Sequence, residues 1–412
     1  MADLSSFAAK RPLLMSYGGG HAQIMAAVAA GLIARGSTPD LIGLTTAARF
    51  FARRGLAARS VLALQDEAST CTDAGDLAFL RDVTAGQSHP DITPAQTAAY
   101  FAIGYRDLAC RIGTRAARDR ITAEGRRAFL PVDAMVRYLK RTRPDAVVTT
   151  TSPRFEHAML QAARRLGIPS LAISDLFLIR ERDWIIPAPY AEHLSVFASS
   201  VREDLLQAGL IGSEIHVTGN PAFDSLRPAP DDAARRAALR ARLGMTDKTV
   251  ILWPAAQVDA RGRSGDPYAG PQDLVPVFER LCRADPDFTY ILRPHPNSAF
   301  TLGPGADHGL LDDGTLSPEE ALLVADVVCA EVSTMGLQAA LRGIPVICVK
   351  YAEDAVYPLH GLARAVPDLD AMAAMLLARD FGKGGQTIDM PPLGTATGNV
   401  VDLIGRIVGA DT

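Results

Sequence analysis

No apolar run in the sequence is long enough to cross a membrane: the longest, from Ala22 to Ala34, carries Gln23 and falls short of the roughly 20 residues a spanning helix needs. Residues Met1 to Lys10 lead into only a few apolar residues before glycines begin, so no signal peptide is expected and the protein reads as cytoplasmic. Cysteine is scarce. Cys71, Cys110, Cys282, Cys329 and Cys348 stand singly, with no close pair and no Cys/His cluster at metal-ligand spacing, which speaks against a disulfide framework and for buried thiols in a reducing compartment. Charge of one sign is lacking as well: 42 Lys and Arg against 46 Asp and Glu leave a net −4, which excludes a generally basic nucleic-acid binder. Glycine and proline, 34 and 27 of 412 residues, stand at ordinary levels and exclude collagen-like and low-complexity classes. With 48% hydrophobic and 21% charged residues the chain is globular, and its length calls for two domains.

What is present is a regular alternation of short buried-type strands and helices. Leu13 to Ser16 stops at Tyr17 and three glycines, and apolar residues then recur at helical spacing from His21 to Ala34. Further strands are expected at 41–44, 61–64, 146–150, 170–174, 194–198 and 214–217, with helical character from about Thr93 to Lys140, from His157 to Leu166 and from Ser200 to Ala208. After Gly219, a short helix and the Pro-rich 227–230, the series restarts with Thr249 to Trp253 and gives strands at 289–292, 310–311, 327–330 and 346–349. Helices are expected between them at 271–284, 317–324 and 335–342. Such alternation calls for α/β domains with parallel sheets covered by helices. The expected division is residues 1–220, a linker at 221–230, a second domain at 231–394 and a C-terminal helix at 395–412.

Four motifs carry candidate chemistry. Gly18, Gly19 and Gly20, between a strand and a helix, allow backbone N–H groups to approach an anion or sugar closely. This loop is neither the dinucleotide fingerprint nor a Walker loop. His21 follows it and either takes a proton from an acceptor hydroxyl or simply caps its helix. Arg293 and His295, fixed between prolines in Arg293-Pro294-His295-Pro296-Asn297, are placed to donate to a phosphate or sugar; an ordinary strand-ending turn with Arg293 paired to an acid is the competing explanation. Ser333 and Thr334 open a helix ended by Gly343, where their hydroxyls and the free N–H groups suit a diphosphate, with Gln338 one turn on within reach of a ribose. The turn Thr218-Gly219-Asn220-Pro221 is expected to carry Gly219 and Asn220 to the mouth of an interdomain cleft.

Together, in this order, these motifs resemble the GT-B superfamily, nucleotide-sugar enzymes built from two Rossmann-like doubly wound domains that face each other across a cleft. Gly18-Gly19-Gly20-His21 and Val217-Thr218-Gly219-Asn220-Pro221 are similar to the glycine loop and interdomain turn of MurG-type N-acetylglucosaminyltransferases. Val217-Thr218-Gly219-Asn220 with Arg293-Pro294-His295-Pro296-Asn297 also resembles UDP-N-acetylglucosamine 2-epimerases. The unit from Ser333 to Pro345 is similar to one found in transferases of bacterial surface polysaccharides. The resemblance implies a nucleotide-sugar donor held by Arg293, His295, Ser333, Thr334 and Gln338, a glycan or lipid-linked acceptor, and His21 facing the reacting hydroxyl. Gln338 stands where the resembled families usually have Glu. Between Ala172 and Pro189 the sequence offers Asp175, Glu181 and Asp183 without the epimerases' acidic motif, so transfer ranks above epimerisation, with His21 and then Asp175 as candidate bases. A non-catalytic nucleotide-sugar-binding subunit is the remaining alternative.

No metal cofactor is expected. Asp285-Pro286-Asp287 falls before a strand and Asp368-Leu369-Asp370 at a helix start, neither suited to hold a cation for catalysis. From Arg106 to Arg143, eleven basic residues face four acids, and Phe50-Phe51 lies beside Arg49, Arg53 and Arg54. Peripheral contact with an anionic membrane face and solvated helix faces are both open from this pattern.

Overall fold

The computed structural model describes Phe7 and residues 10–66, 73–257, 267–295, 298, 300–303, 305–349, 361–382 and 388–409. Cys71, Pro296 and Asn297 lie outside the described residues. The chain forms two compact units, one of Met1–Ser225 with Asp389–Thr412 and one of Leu226–Ile388.

The first unit is built on seven parallel strands: Leu13–Ser16 (β1), Asp40–Gly43 (β2), Arg59–Ser60 (β3), Val147–Thr150 (β4), Ser170–Ile173 (β5), His193–Val196 (β6) and Glu214–Val217 (β7). Their order is β3-β2-β1-β4-β5-β6-β7. All four residues of β1, of β4 and of β5 are buried, which is why these strands read as unbroken apolar or small-residue runs rather than as an alternation. The helices are Gly20–Ala34 (α1), Ala47–Arg53 (α2), Ala74–Thr84 (α3), Pro94–Ile112 (α4), Thr114–Glu124 (α5), Val132–Thr142 (α6), Phe155–Leu166 (α7), Arg182–Ile185 (α8) and Ser199–Gln207 (α9).

Two expectations fail locally. Val61–Leu64 is a 3-10 turn and not a strand: the ladder with β2 ends at Ser60, whose hydroxyl accepts the Leu62 N–H and turns the chain. The helical stretch expected from Thr93 to Lys140 is broken into α4, α5 and α6 by Gly113 and Gly125, both at positive φ, and by Pro131.

The second unit repeats the winding with Thr249–Pro254 (β8), Phe288–Arg293 (β9), Gly309–Leu311 (β10), Val327–Ala330 (β11), Val346–Val349 (β12) and Arg364–Val366 (β13), in the order β10-β9-β8-β11-β12-β13. Asp232–Leu243 (α10), Pro271–Ala284 (α11), Pro318–Val324 (α12), Thr334–Leu341 (α13) and Leu369–Leu377 (α14) flank it. Its core joins Ile251, Trp253, Phe278, Tyr290, Val327, Ile347 and Met372.

The last helix, Ala396–Ile407 (α15), belongs to the first unit, where Val400, Val401, Leu403 and Ile404 share a core with Ile24, Val28 and Leu32 of α1. The turn at Gly219 lies inside this unit too: Asn399 of α15 donates to the Thr218 carbonyl at 3.1 Å, and the second unit begins only at Leu226. In each sheet the winding reverses once, between β1 and β4 and between β8 and β11. Doubly wound sheets bind ligands at the carboxyl ends of such strand pairs.

Candidate functional site

In the first unit, the carboxyl ends of β1, β4 and β5 converge on His21. Gly18 has no room for a side chain, since a Cβ there would run into the Thr46 hydroxyl. Gly19 sits at φ 70°, a conformation that favours glycine, and starts α1 directly. His21, in the first turn, has its Nε2 3.8 Å from an Asp175 carboxylate oxygen, each side chain about one-fifth exposed. Asp175 follows β5; Asn220 fixes its backbone by donating to its carbonyl at 2.6 Å. The structure thus brings together His21, Asp175, Asn220 and the glycine loop, and Gly219 supplies the positive-φ turn that delivers Asn220.

Three residues here, Glu156, Arg154 and Tyr100, escape the sequence reading. Glu156, at the start of α7, is fully buried and accepts the Tyr17 N–H at 2.8 Å and the Thr150 hydroxyl at 2.6 Å. Burial pushes its carboxyl up, and His21 partly offsets this. Glu181 is also pushed up, first by burial and then by repulsion from Asp175. Three carboxyl groups therefore surround one imidazole. Arg154 holds a left-handed φ of 69° and sets its guanidinium over the Tyr17 ring, 5.1 Å from the centroid. The Tyr17 hydroxyl meets that of Tyr100 at 2.8 Å.

Ser16 Oγ, His21 Nδ1, Thr151 Oγ1, Arg154 Nε and Ser174 Oγ are buried without a hydrogen-bond partner in the protein, five of nine such atoms among the described residues. Leaving a buried polar group unpaired costs about 1–3 kcal/mol, and these five gather at one sheet end, where water or ligand atoms can satisfy them. Beside it, Tyr100 also lines a cavity of about 250 Å³ with Gln87, His89, Gln96, Phe101 and Arg126.

In the second unit, Ser333 caps α13 and accepts the Met335 N–H at 3.2 Å; Thr334 is exposed in the first turn and Gln338 half-buried a turn later. These three share the end of β11. Arg293 is paired to an acid, as the competing explanation had it: one of its terminal nitrogens binds the buried Asp312 carboxylate and donates to the Leu316 carbonyl at 2.8 Å. The loop following Asp312 captures the guanidinium, so Arg293 braces the end of β9. His295 is half-buried just beyond it. Glu331, directly after β11, is buried and accepts the Ala269 N–H at 3.0 Å. Burial pushes its carboxyl up to about 7, against the effect of that N–H and with help from Asp273.

Five of the eleven basic residues of the segment pair with acids: Arg106 and Arg118 with the buried Asp76, Arg111 with Asp107, Arg120 with Glu124 and Arg137 with Asp66. Phe51 is in the core, and Arg49 and Arg53 bind Asp91. Among the described residues no helix is long and apolar enough to cross a membrane.

No protein-family model matches the chain, and no curated protein matches it significantly. Solved structures do. The UDP-GlcNAc 2-epimerase of Neisseria meningitidis, bound to UDP-GlcNAc, aligns over 96% of this chain and 100% of its own at 12% identity, with a TM-score of 0.58. That of Methanocaldococcus jannaschii aligns over 96% and 99% at 12% identity and a TM-score of 0.57. MurG of Acinetobacter baumannii aligns over 96% and 99% at 15% identity and a TM-score of 0.54. The chain has the GT-B architecture these nucleotide-sugar enzymes share.

Proposed function

We propose that the protein is a glycosyltransferase that moves a sugar from a nucleotide-activated donor to a hydroxyl acceptor of glycan or lipid-linked type, without a catalytic metal. The observation that carries this reading is the His21–Asp175 pair, at the strand carboxyl ends where doubly wound sheets tend to bind ligands and among buried polar atoms that lack partners. The acceptor hydroxyl oxygen attacks the anomeric carbon, and its proton passes to His21. The bond from that carbon to the phosphate oxygen breaks, and the electron pair leaves on the nucleotide. Asp175 steadies the imidazolium that forms. The cavity beside Tyr100, with His89 and Arg126 in its wall, suits a polar acceptor with an anionic group. The first turn of α13, with Ser333 and Thr334, suits the diphosphate, and Gln338 the ribose. The structural neighbours support this donor class: one is a UDP-GlcNAc 2-epimerase bound to UDP-GlcNAc, another is MurG.

Epimerisation is the second reading, favoured by Glu156 and Glu181, carboxyl groups that burial pushes toward holding a proton as an acid–base catalyst must. Incubation with UDP-GlcNAc in deuterated water, with and without candidate acceptors, separates the two. Transfer predicts nucleotide release only with an acceptor, and a loss of about 10²–10⁴-fold in kcat for His21→Ala with unchanged melting. Deuterium at C2 with the manno epimer and no acceptor would replace transfer by epimerisation. Intact nucleotide-sugar binding without either reaction would point to the non-catalytic subunit.

A further inference from the structure

At the opposite end of the first unit's sheet lies a second cluster that the reaction does not use. His193 opens β6 and Glu214 opens β7; the register pairs His193 with Glu214 and Ser195 with His216. Residues 214 and 216 are two apart on one strand, so His193, Glu214 and His216 project from the same face. His193 Nδ1 is 3.1 Å from His216 Nε2. The Glu214 carboxylate oxygens lie 3.5 Å from the first nitrogen and 3.6 Å from the second.

The two carboxylate distances run to different oxygens, Oε2 to His193 and Oε1 to His216, so the three groups stand near the spacing of one face of a coordination tetrahedron and a small turn of the carboxylate completes it. With metal–ligand distances of about 2.0–2.2 Å, neighbouring ligand atoms of a tetrahedral zinc site stand about 3.3 Å apart. One ligand atom from each of the three residues can be chosen so that all lie within 4.8 Å of one another. Two imidazoles and a carboxylate are a donor set suited to zinc and other late divalent transition metals, and Glu214 supplies negative charge where Arg406 of α15 acts against a positive one. Both histidine side chains are about one-fifth exposed and Glu214 about two-thirds, so the ion can enter from solvent and keep a water in its fourth position.

We propose that His193, Glu214 and His216 form a zinc-class metal site that ties the edge strand β7 to β6. His193 and Glu214 begin their strands, whereas His21 and Asp175 lie at the other end of the sheet, so the site is separate from the metal-free chemistry proposed above and stands without it.

The alternative is a simple hydrogen bond between two neutral imidazoles, and metal titration decides between them. The full chain is stripped with a chelator, kept reduced and titrated with Co²⁺ and then Zn²⁺. One equivalent of Co²⁺ should give the visible bands of four-coordinate cobalt, Zn²⁺ should displace it, and Zn²⁺ should raise the melting temperature. His193→Ala and His216→Ala should abolish both effects. Glu214→Gln, a change at an exposed side chain that leaves the fold intact, should weaken Zn²⁺ binding by about tenfold or more. Absence of a stoichiometric band would overturn the proposal, as would a band that survives in the double histidine variant. Near-ultraviolet thiolate-to-cobalt bands would assign the ion to cysteine and overturn it too.

Discussion

Glu331 shows what a single buried carboxyl group does to stability. Its pKa is about 7 in the folded protein against an ordinary 4.5, so between those values the native state holds a proton that the unfolded chain has lost. Stability from this group is complete below pH 4.5 and is lost as pH rises through 7, on the order of 3 kcal/mol in all. Glu331→Gln keeps the shape and can still accept the Ala269 N–H. The variant should lose less stability than the natural protein between pH 5 and 8, read from urea midpoints at both pH values. A natural protein that gains on the variant as pH rises would show the sign to be wrong. The position of Glu331, directly behind the buried run Val327 to Ala330, is a signal legible in the sequence. Glu156 also leaves one, since it falls on the helical face of Met159, Leu160 and Ala163. For Arg293 the sequence offers pairing with an acid as an alternative but does not say which acid: Asp312, which captures it, lies on another loop, and only the fold brings them together.

At the scale of elements, the strands were readable because a parallel sheet covered on both faces requires uninterrupted apolar runs, and Val327 to Ala330 and Val346 to Val349 appear as such. Val61 to Leu64 has the same composition but lacks a sheet partner, which composition does not reveal. The placement of α15 depends on packing. A Cβ on Gly31 of α1 would lie 2.9 Å from methyl carbons of Thr397 and Val401, so the two helices approach as closely as they do because residue 31 has no side chain. Gly31→Val should therefore destabilise the first unit by about 1–3 kcal/mol despite a better helix propensity, seen as a lower urea midpoint. An unchanged midpoint would mean that α15 does not pack there.

For the whole molecule, the double αβ winding was legible from alternation alone, whereas the particular reaction was not, because one architecture hosts several chemistries and the site decides among them. Each unit's part can be probed by itself. Saturating UDP should slow amide exchange at residues 331–341, where Ser333 and Thr334 begin α13; protection confined to the first unit would move the nucleotide site there.

The return of α15 also fixes an order of events during synthesis. Residues 226–388 form a contiguous unit, but the core around α1 is closed by residues 396–407, which leave the ribosome after all of them. The half of the protein made first is thus the half finished last. Until then the face of α1 around Gly31 lacks Thr397 and Val401 against it, a period in which a chaperone has something to bind.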